Sequence, residues 1–162
     1  YYLSTAMECT ATDLQGVVIG GHGDTTMIPL ARLATYQGTP VSNYLNAESL
    51  KKVVADTMVG GKTLTGLLGT SAWYAPGAAV AYLVDSILND QKRIIPCSVF
   101  LDGEYGQKDI CIGVPVIIGK NGWENIIELD LNDTEKELFS NSANAVRNMN
   151  RIHEGKDIQL ND

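Results

Sequence analysis

The apolar positions of the chain switch between helical and alternating spacing, and each switch marks an element. Leu3, Ala6 and Met7 share one face at helical spacing and predict a helix over residues 1–11. No capping residue precedes that pattern and no initiator Met begins it, so the expectation is a piece of a longer protein, starting inside or just before a helix. After Asp13, Gly16-Val17-Val18-Ile19 reads as a strand and Gly20-Gly21-His22-Gly23-Asp24 as a glycine-rich turn. The stretch 27–36 reads as extended and ends at Gly38-Thr39-Pro40. Helical spacing returns over 47–58, is expected to break at Gly60-Gly61, and resumes over 64–68. Pro76, a favoured first-turn residue, predicts a helix running to about Asn89. Its apolar positions Ala79, Val80, Leu83, Val84, Ile87 and Leu88 lie three and four apart.

The pattern then turns β-rich. Residues 94–101 predict a strand with Asp102-Gly103-Glu104-Tyr105-Gly106 as its turn. Residues 110–118 predict a second, closed by Gly119-Lys120-Asn121-Gly122, and residues 123–131 a third. Consecutive strands with tight turns predict an antiparallel meander. Asn132-x-x-Glu135 resembles a capping box ahead of a long helix ending near Gly155. Leu138, Phe139, Ala143, Val146, Met149 and Ile152 form its apolar face. The predicted class is α+β, with helices packed on mostly antiparallel strands in one domain over 1–162.

Composition narrows the partners. The chain has 162 residues, 44% of them hydrophobic and 19% charged, which suits one well-packed soluble domain. A net charge of −7, with no basic cluster beyond Lys51-Lys52 and Lys92-Arg93, argues against nucleic acid and anionic membrane as partners. No apolar run approaches the ~20 residues of a membrane-spanning helix, and no secretory signal is visible, so the expected location is the cytoplasm. Cys9, Cys97 and Cys111 are widely spaced and read as reduced, mostly buried core thiols. With two histidines and no ligand spacing, no metal site is expected.

One stretch carries chemistry. His22, flanked by glycines at a strand end, has a little-hindered ring on a backbone free to take positive φ. An imidazole there can lend or take a proton near neutral pH. Two readings stand side by side: a proton-transfer residue, or a histidine that merely caps a turn. Asp24, two residues on in a tight turn, is awkwardly placed as its carboxylate partner and reads as a turn acceptor. His153, in the last turn of the final helix, is explained by the helix macrodipole. No G-x-G-x-x-G follows a strand, and no phosphate loop, serine elbow or kinase set is present. The residues alone describe an α+β domain with one proton-transfer candidate.

The stretch Val17-Val18-Ile19-Gly20-Gly21-His22-Gly23-Asp24-Thr25-Thr26-Met27-Ile28-Pro29-Leu30 closely resembles the active-site segment of the malate and lactate dehydrogenase family. Its G-G-H-G-D form followed by M-I-P-L is similar to malate dehydrogenases of the lactate-dehydrogenase-like branch; lactate dehydrogenases usually carry G-E-H-G-D. Leu67-Leu68-Gly69-Thr70-Ser71-Ala72-Trp73-Tyr74-Ala75-Pro76-Gly77-Ala78-Ala79 resembles that branch's G-S-A-Y-Y-A-P-A-A-A segment. Val99-Phe100-Leu101-Asp102-Gly103-Glu104-Tyr105-Gly106 resembles the family's L-x-G-x-Y-G hairpin. The resemblance covers essentially the whole chain.

The resemblance implies an NAD-dependent oxidoreductase acting on malate and oxaloacetate, set in the tricarboxylic acid cycle and working as a homo-oligomer. His22 matches the proton-transfer histidine, and Ser71 or Ala72 sits where the substrate-facing loop begins. It also implies incompleteness. The histidine-orienting aspartate and the carboxylate-clamping arginine would lie shortly before Tyr1, with the mobile loop and the Rossmann domain further upstream. NAD would be bound mainly by that absent domain, and the isolated chain is expected to be inactive. Two alternatives stand beside this one: a lactate or other 2-hydroxy-acid dehydrogenase domain, and a non-catalytic assembly module.

Overall fold

In chain order the elements are α1 (Tyr2–Met7), β1 (Leu14–Gln15), β2 (Val18–Gly20), β3 (Met27–Pro29), β4 (Thr35–Tyr36), β5 (Thr39–Pro40), α2 (Ala47–Leu68), α3 (Tyr74–Leu88), β6 (Arg93–Asp102), β7 (Lys108–Gly119), β8 (Gly122–Ile126) and α4 (Asp133–His153). The structure is a computed structural model, and it describes residues 1–153. The class is α+β, as the pattern predicts.

Alternation along β7 builds the centre. Ile110, Ile112, Val114, Val116 and Ile118 all fall on one buried face. Each such side chain contributes roughly 1.5–3 kcal/mol by leaving water. β6 pairs antiparallel with β7 along nearly its whole length, adding Val99 and Leu101 to the same face. On its other edge β7 pairs with β8 and with the end of β2, and β3 closes the five-stranded sheet beyond β2. Ile19, Ile28 and Leu30 complete the core from that side, and Phe139 and Ala143 of α4 cover it. A second, small sheet joins β1, β4 and β5.

α4 starts where its capping box says it should. The Asn132 side-chain oxygen accepts from the Glu135 backbone N–H at 2.9 Å, and the Glu135 carboxylate accepts from the Asn132 N–H at 2.9 Å. Arg32 then forks onto the same carboxylate at 3.0 and 2.8 Å, tying the segment after β3 to the start of α4. These hydrogen bonds from Arg32 hold the Glu135 carboxyl below its ordinary value despite its burial. Gly155, the predicted helix end, lies outside the described residues.

Several elements differ from expectation, each for a physical reason. α2 runs unbroken through Gly60-Gly61 to a left-handed Gly69 at φ 68°. A helical glycine costs only about 1 kcal/mol, and α2 has 22 residues of ladder to carry it. The strand expected over 123–131 stops at Ile126, because Tyr105 takes over the backbone beyond it. Its hydroxyl donates to the Ile127 carbonyl at 2.6 Å and accepts from the Leu129 N–H at 2.9 Å. The stretch 27–36 is extended only at β3 and β4, with a single-turn helix over Ala31–Leu33 between them. The first helix is shorter than 1–11, ending at Met7, where Glu8 turns left-handed at φ 52°. α3 begins at Tyr74, two residues ahead of Pro76. Of the three cysteines expected in the core, Cys97 packs against it half-buried, whereas Cys9 is half-buried away from it and Cys111 is exposed.

The later turns of α2 and the first turns of α3 stand away from the sheet. Leu67, Trp73 and Tyr74 are 81%, 72% and 96% exposed, and Leu64, Leu68, Val80 and Tyr82 add to the same apolar surface. The far end of α3 is anchored: Leu83 and Ile87 pack on the core, and the buried Ser86 hydroxyl donates to the Ile118 carbonyl at 3.0 Å.

Candidate active site

Antiparallel pairing of β2 with β3, in the register Val18↔Pro29, Ile19↔Ile28 and Gly20↔Met27, leaves residues 21–26 as the connection that carries His22. The connection closes on the Gly23 carbonyl, which accepts from the Thr26 and Met27 backbone N–H groups at 3.0 and 2.9 Å and from the Thr26 hydroxyl at 3.4 Å. Asp24, read from sequence as the turn acceptor, is exposed and takes no part in those bonds; the Gly23 carbonyl is the acceptor that closes the turn.

Close packing at the base of the loop requires glycine. Gly20 has φ 93°, and a Cβ on it would lie 2.5 Å from the Thr26 carbonyl oxygen. Gly113 of β7 faces it as the one registered pair between β2 and β7, and a Cβ on Gly113 would lie 2.7 Å from the Gly20 carbonyl oxygen. From the other side, Ser142 of α4 reaches in. It is 4% exposed, its hydroxyl oxygen accepts from the Gly21 N–H at 2.9 Å, and its hydrogen goes to the Thr26 carbonyl at 2.7 Å. Both ends of the connection are thereby held to the helix.

His22 itself is exposed, with its ring open to solvent. It borders an open cavity of about 580 Å³ that Met27, Cys97, Ser98, Cys111 and Gly113 also line. Burial raises the Cys97 thiol above its ordinary value. Among the described residues the lining carries no lysine, arginine or carboxylate, and His22 is its one imidazole. Among the described residues no cluster of three histidine, cysteine or acidic side chains could hold a metal ion. An apolar cleft of about 280 Å³ lies on the α1 side, lined by Tyr2, Leu14, Val17, Leu30 and Val53 among others, and it does not reach His22.

Ser71 and Ala72 occupy the connection between α2 and α3; Ser71 is exposed, Ala72 is partly buried, and neither lines the His22 cavity. His153 is exposed in the last described turn of the final helix, beside Arg151, and does not line the His22 cavity. Two contributors were missed from sequence. Ser142 sits in the stripe Phe139, Ser142, Ala143, Val146 at helical spacing, and that position was the available signal for a buried hydroxyl. Gly113 interrupts a β-branched run, the pattern expected where another backbone approaches closely.

A family model described as the lactate/malate dehydrogenase alpha/beta C-terminal domain matches residues 2–157. The malate dehydrogenase of Flavobacterium johnsoniae is 71% identical over 149 residues, which are 92% of this chain and 48% of that relative. A crystal structure of Cryptosporidium parvum malate dehydrogenase superposes with a TM-score of 0.91 at 34% identity, covering 95% of this chain and 51% of the other. The Eimeria maxima lactate dehydrogenase, solved with NADH and oxamate, superposes with a TM-score of 0.90 at 36% identity, covering 99% of this chain and 52% of the other. The chain therefore spans about half the length of the curated relatives it matches.

Proposed function

The chain belongs to the lactate/malate dehydrogenase C-terminal domain family, and from that premise we propose that it is the substrate-side half of an NAD-dependent malate dehydrogenase. The observation that carries the reading is the exposed His22 on a loop pinned between sheet and helix, open to a cavity. His22 takes the proton of the malate C2 hydroxyl as the C2 hydride leaves and the carbonyl of oxaloacetate forms. In the reverse direction the protonated ring donates to that carbonyl oxygen. NAD, when bound, supplies the hydride acceptor.

The residues beside His22 are apolar or uncharged and do not suit a dinucleotide. Among the described residues no lysine or arginine lines the cavity to meet a pyrophosphate or the two carboxylates of malate. NAD is therefore assigned to the other half of the longer protein, together with the arginine that clamps a substrate carboxylate and the aspartate that orients His22. Ser71 and Ala72 are proposed as substrate contacts once that half is in place. The apolar surface of α2 and α3 supports packing against that half and against further copies in a homo-oligomer, since exposed patches of this kind mark interaction sites. Among the described residues no helix is long and apolar enough to cross a membrane, and a cytoplasmic location is proposed.

Malate is preferred over lactate because relatives at 66–71% identity carry the malate dehydrogenase name. Steady-state assays of the full-length protein with oxaloacetate and pyruvate test this. A higher kcat/KM for oxaloacetate is expected; a preference for pyruvate overturns the malate assignment.

A further inference from the structure

We infer that Ser142, on the helix opposite the loop, is a positioning residue for His22, a role that rests on the proposed proton transfer. Three observations converge on it. Its one hydroxyl makes two hydrogen bonds, accepting from the Gly21 N–H at 2.9 Å and donating to the Thr26 carbonyl at 2.7 Å. Those partners are the first and last residues of the connection, so a single side chain fixes both ends and the residue next to His22. The site is also too tight to re-form by sliding: a Cβ on Gly20 would lie 2.9 Å from the Ser142 hydroxyl oxygen, and a Cβ on Gly21 would lie 3.1 Å from Val146 one helical turn on.

The clamp matters because a loop ring is held only through its backbone. His22 is exposed, so packing does little to aim it, and the Gly21–His22 backbone sets the region its imidazole can reach. Proton transfer needs heavy atoms within about 2.6–3.2 Å, and a misplacement of about 1 Å can cost a hundredfold in rate. Removing the hydroxyl leaves a part-buried N–H and a part-buried carbonyl without this partner.

Ser86 provides the matched control. It is also a fully buried helix serine, and its hydroxyl donates to a sheet carbonyl at 3.0 Å, but its partner is Ile118, away from the loop. In the full-length dehydrogenase, Ser142→Ala is expected to lower kcat for malate about 10- to 100-fold. Its Gly21 amide is expected to exchange with solvent at least about tenfold faster. Ser86→Ala is expected to lower thermal stability while keeping kcat within about twofold. Should Ser142→Ala not accumulate folded, Ser142→Cys carries the same test, being near in size with a weaker donor and acceptor. Wild-type kcat in the Ser142 variant, or equal losses in the Ser142 and Ser86 variants, overturns the positioning role. His22→Asn assayed alongside separates the two ideas. If it is inactive while Ser142→Ala is unimpaired, only the positioning role falls; if it is fully active, the proposed function falls and takes the positioning role with it.

Discussion

Gly113→Ala is a one-methyl change that should reach His22 through the backbone. Gly113 is the residue of β7 that faces Gly20, and the added Cβ would stand 2.7 Å from the Gly20 carbonyl oxygen. Carbon and carbonyl oxygen approach to about 3.3 Å at closest without strain, so the end of β2 must retreat by roughly 0.6 Å. The oxygen belongs to a backbone locked on its other side, where Gly20 lies against Thr26 and Ser142, so the retreat cannot be absorbed by a side-chain rotation. Overpacking of this kind costs about 1–3 kcal/mol of stability. Because His22 lies two residues beyond Gly20, a shift of that size should also lower kcat/KM for malate by about tenfold or more. The assay is steady-state malate oxidation by the full-length protein, with thermal melts in parallel. A Gly113→Ala protein with wild-type kcat/KM and an unchanged Tm would refute the reasoning, because it would mean that β2 and β7 are not in rigid contact at this pair.

Other consequences are as direct. The Glu135 carboxyl, held low by Arg32, contributes stability that is fully present above its unfolded value of about 4.3 and is lost as pH falls through its folded value. Urea melts from neutral to acid pH should show that loss, and Glu135→Gln should flatten it; an unchanged slope would remove Glu135 from the acid response. Asn132→Ala, which removes the other half of the same cap, should cost about 0.5–2 kcal/mol. Gly61→Ala, with open space around its Cβ inside α2, should raise stability by about 0.5–1 kcal/mol. Gly60→Ala should gain less, because its Cβ would meet the Tyr2 ring at 3.1 Å; the opposite ranking in thermal melts would contradict that contact. Tyr105→Phe strips the hydroxyl that bridges the Ile127 carbonyl and the Leu129 N–H, and should cost about 1–3 kcal/mol; a change within 0.3 kcal/mol, roughly the error of such measurements, would show those groups find water instead.

The parts of the fold that announce themselves in the sequence are those fixed by neighbours in the chain. The alternation of β6 and β7 and the Asn132–Glu135 box each encode their own local geometry, and the structure reproduces them closely. The differences arise where a distant residue decides. Gly60-Gly61 looks like a break, yet α2 continues because Tyr2 packs over Gly60 and the cost per glycine is small. The last strand stops early because Tyr105, more than twenty positions upstream, claims its backbone groups. The site divides in the same way. His22 is legible because glycines on both sides leave its ring unhindered, whereas the contributions of Gly113 and Ser142 exist only once β7 and α4 have closed on the loop.

The measurement closest to the central claim is the activity of His22→Asn in the full-length protein. The side chain is exposed and takes no part in the turn's hydrogen bonds, so the substitution should leave folding and the KM for NAD unchanged. With the proton acceptor gone, kcat/KM for malate should fall by about 10²- to 10⁴-fold. A variant that oxidises malate within about threefold of the wild-type rate would contradict the assignment of His22, since general acid–base catalysis is worth far more than that.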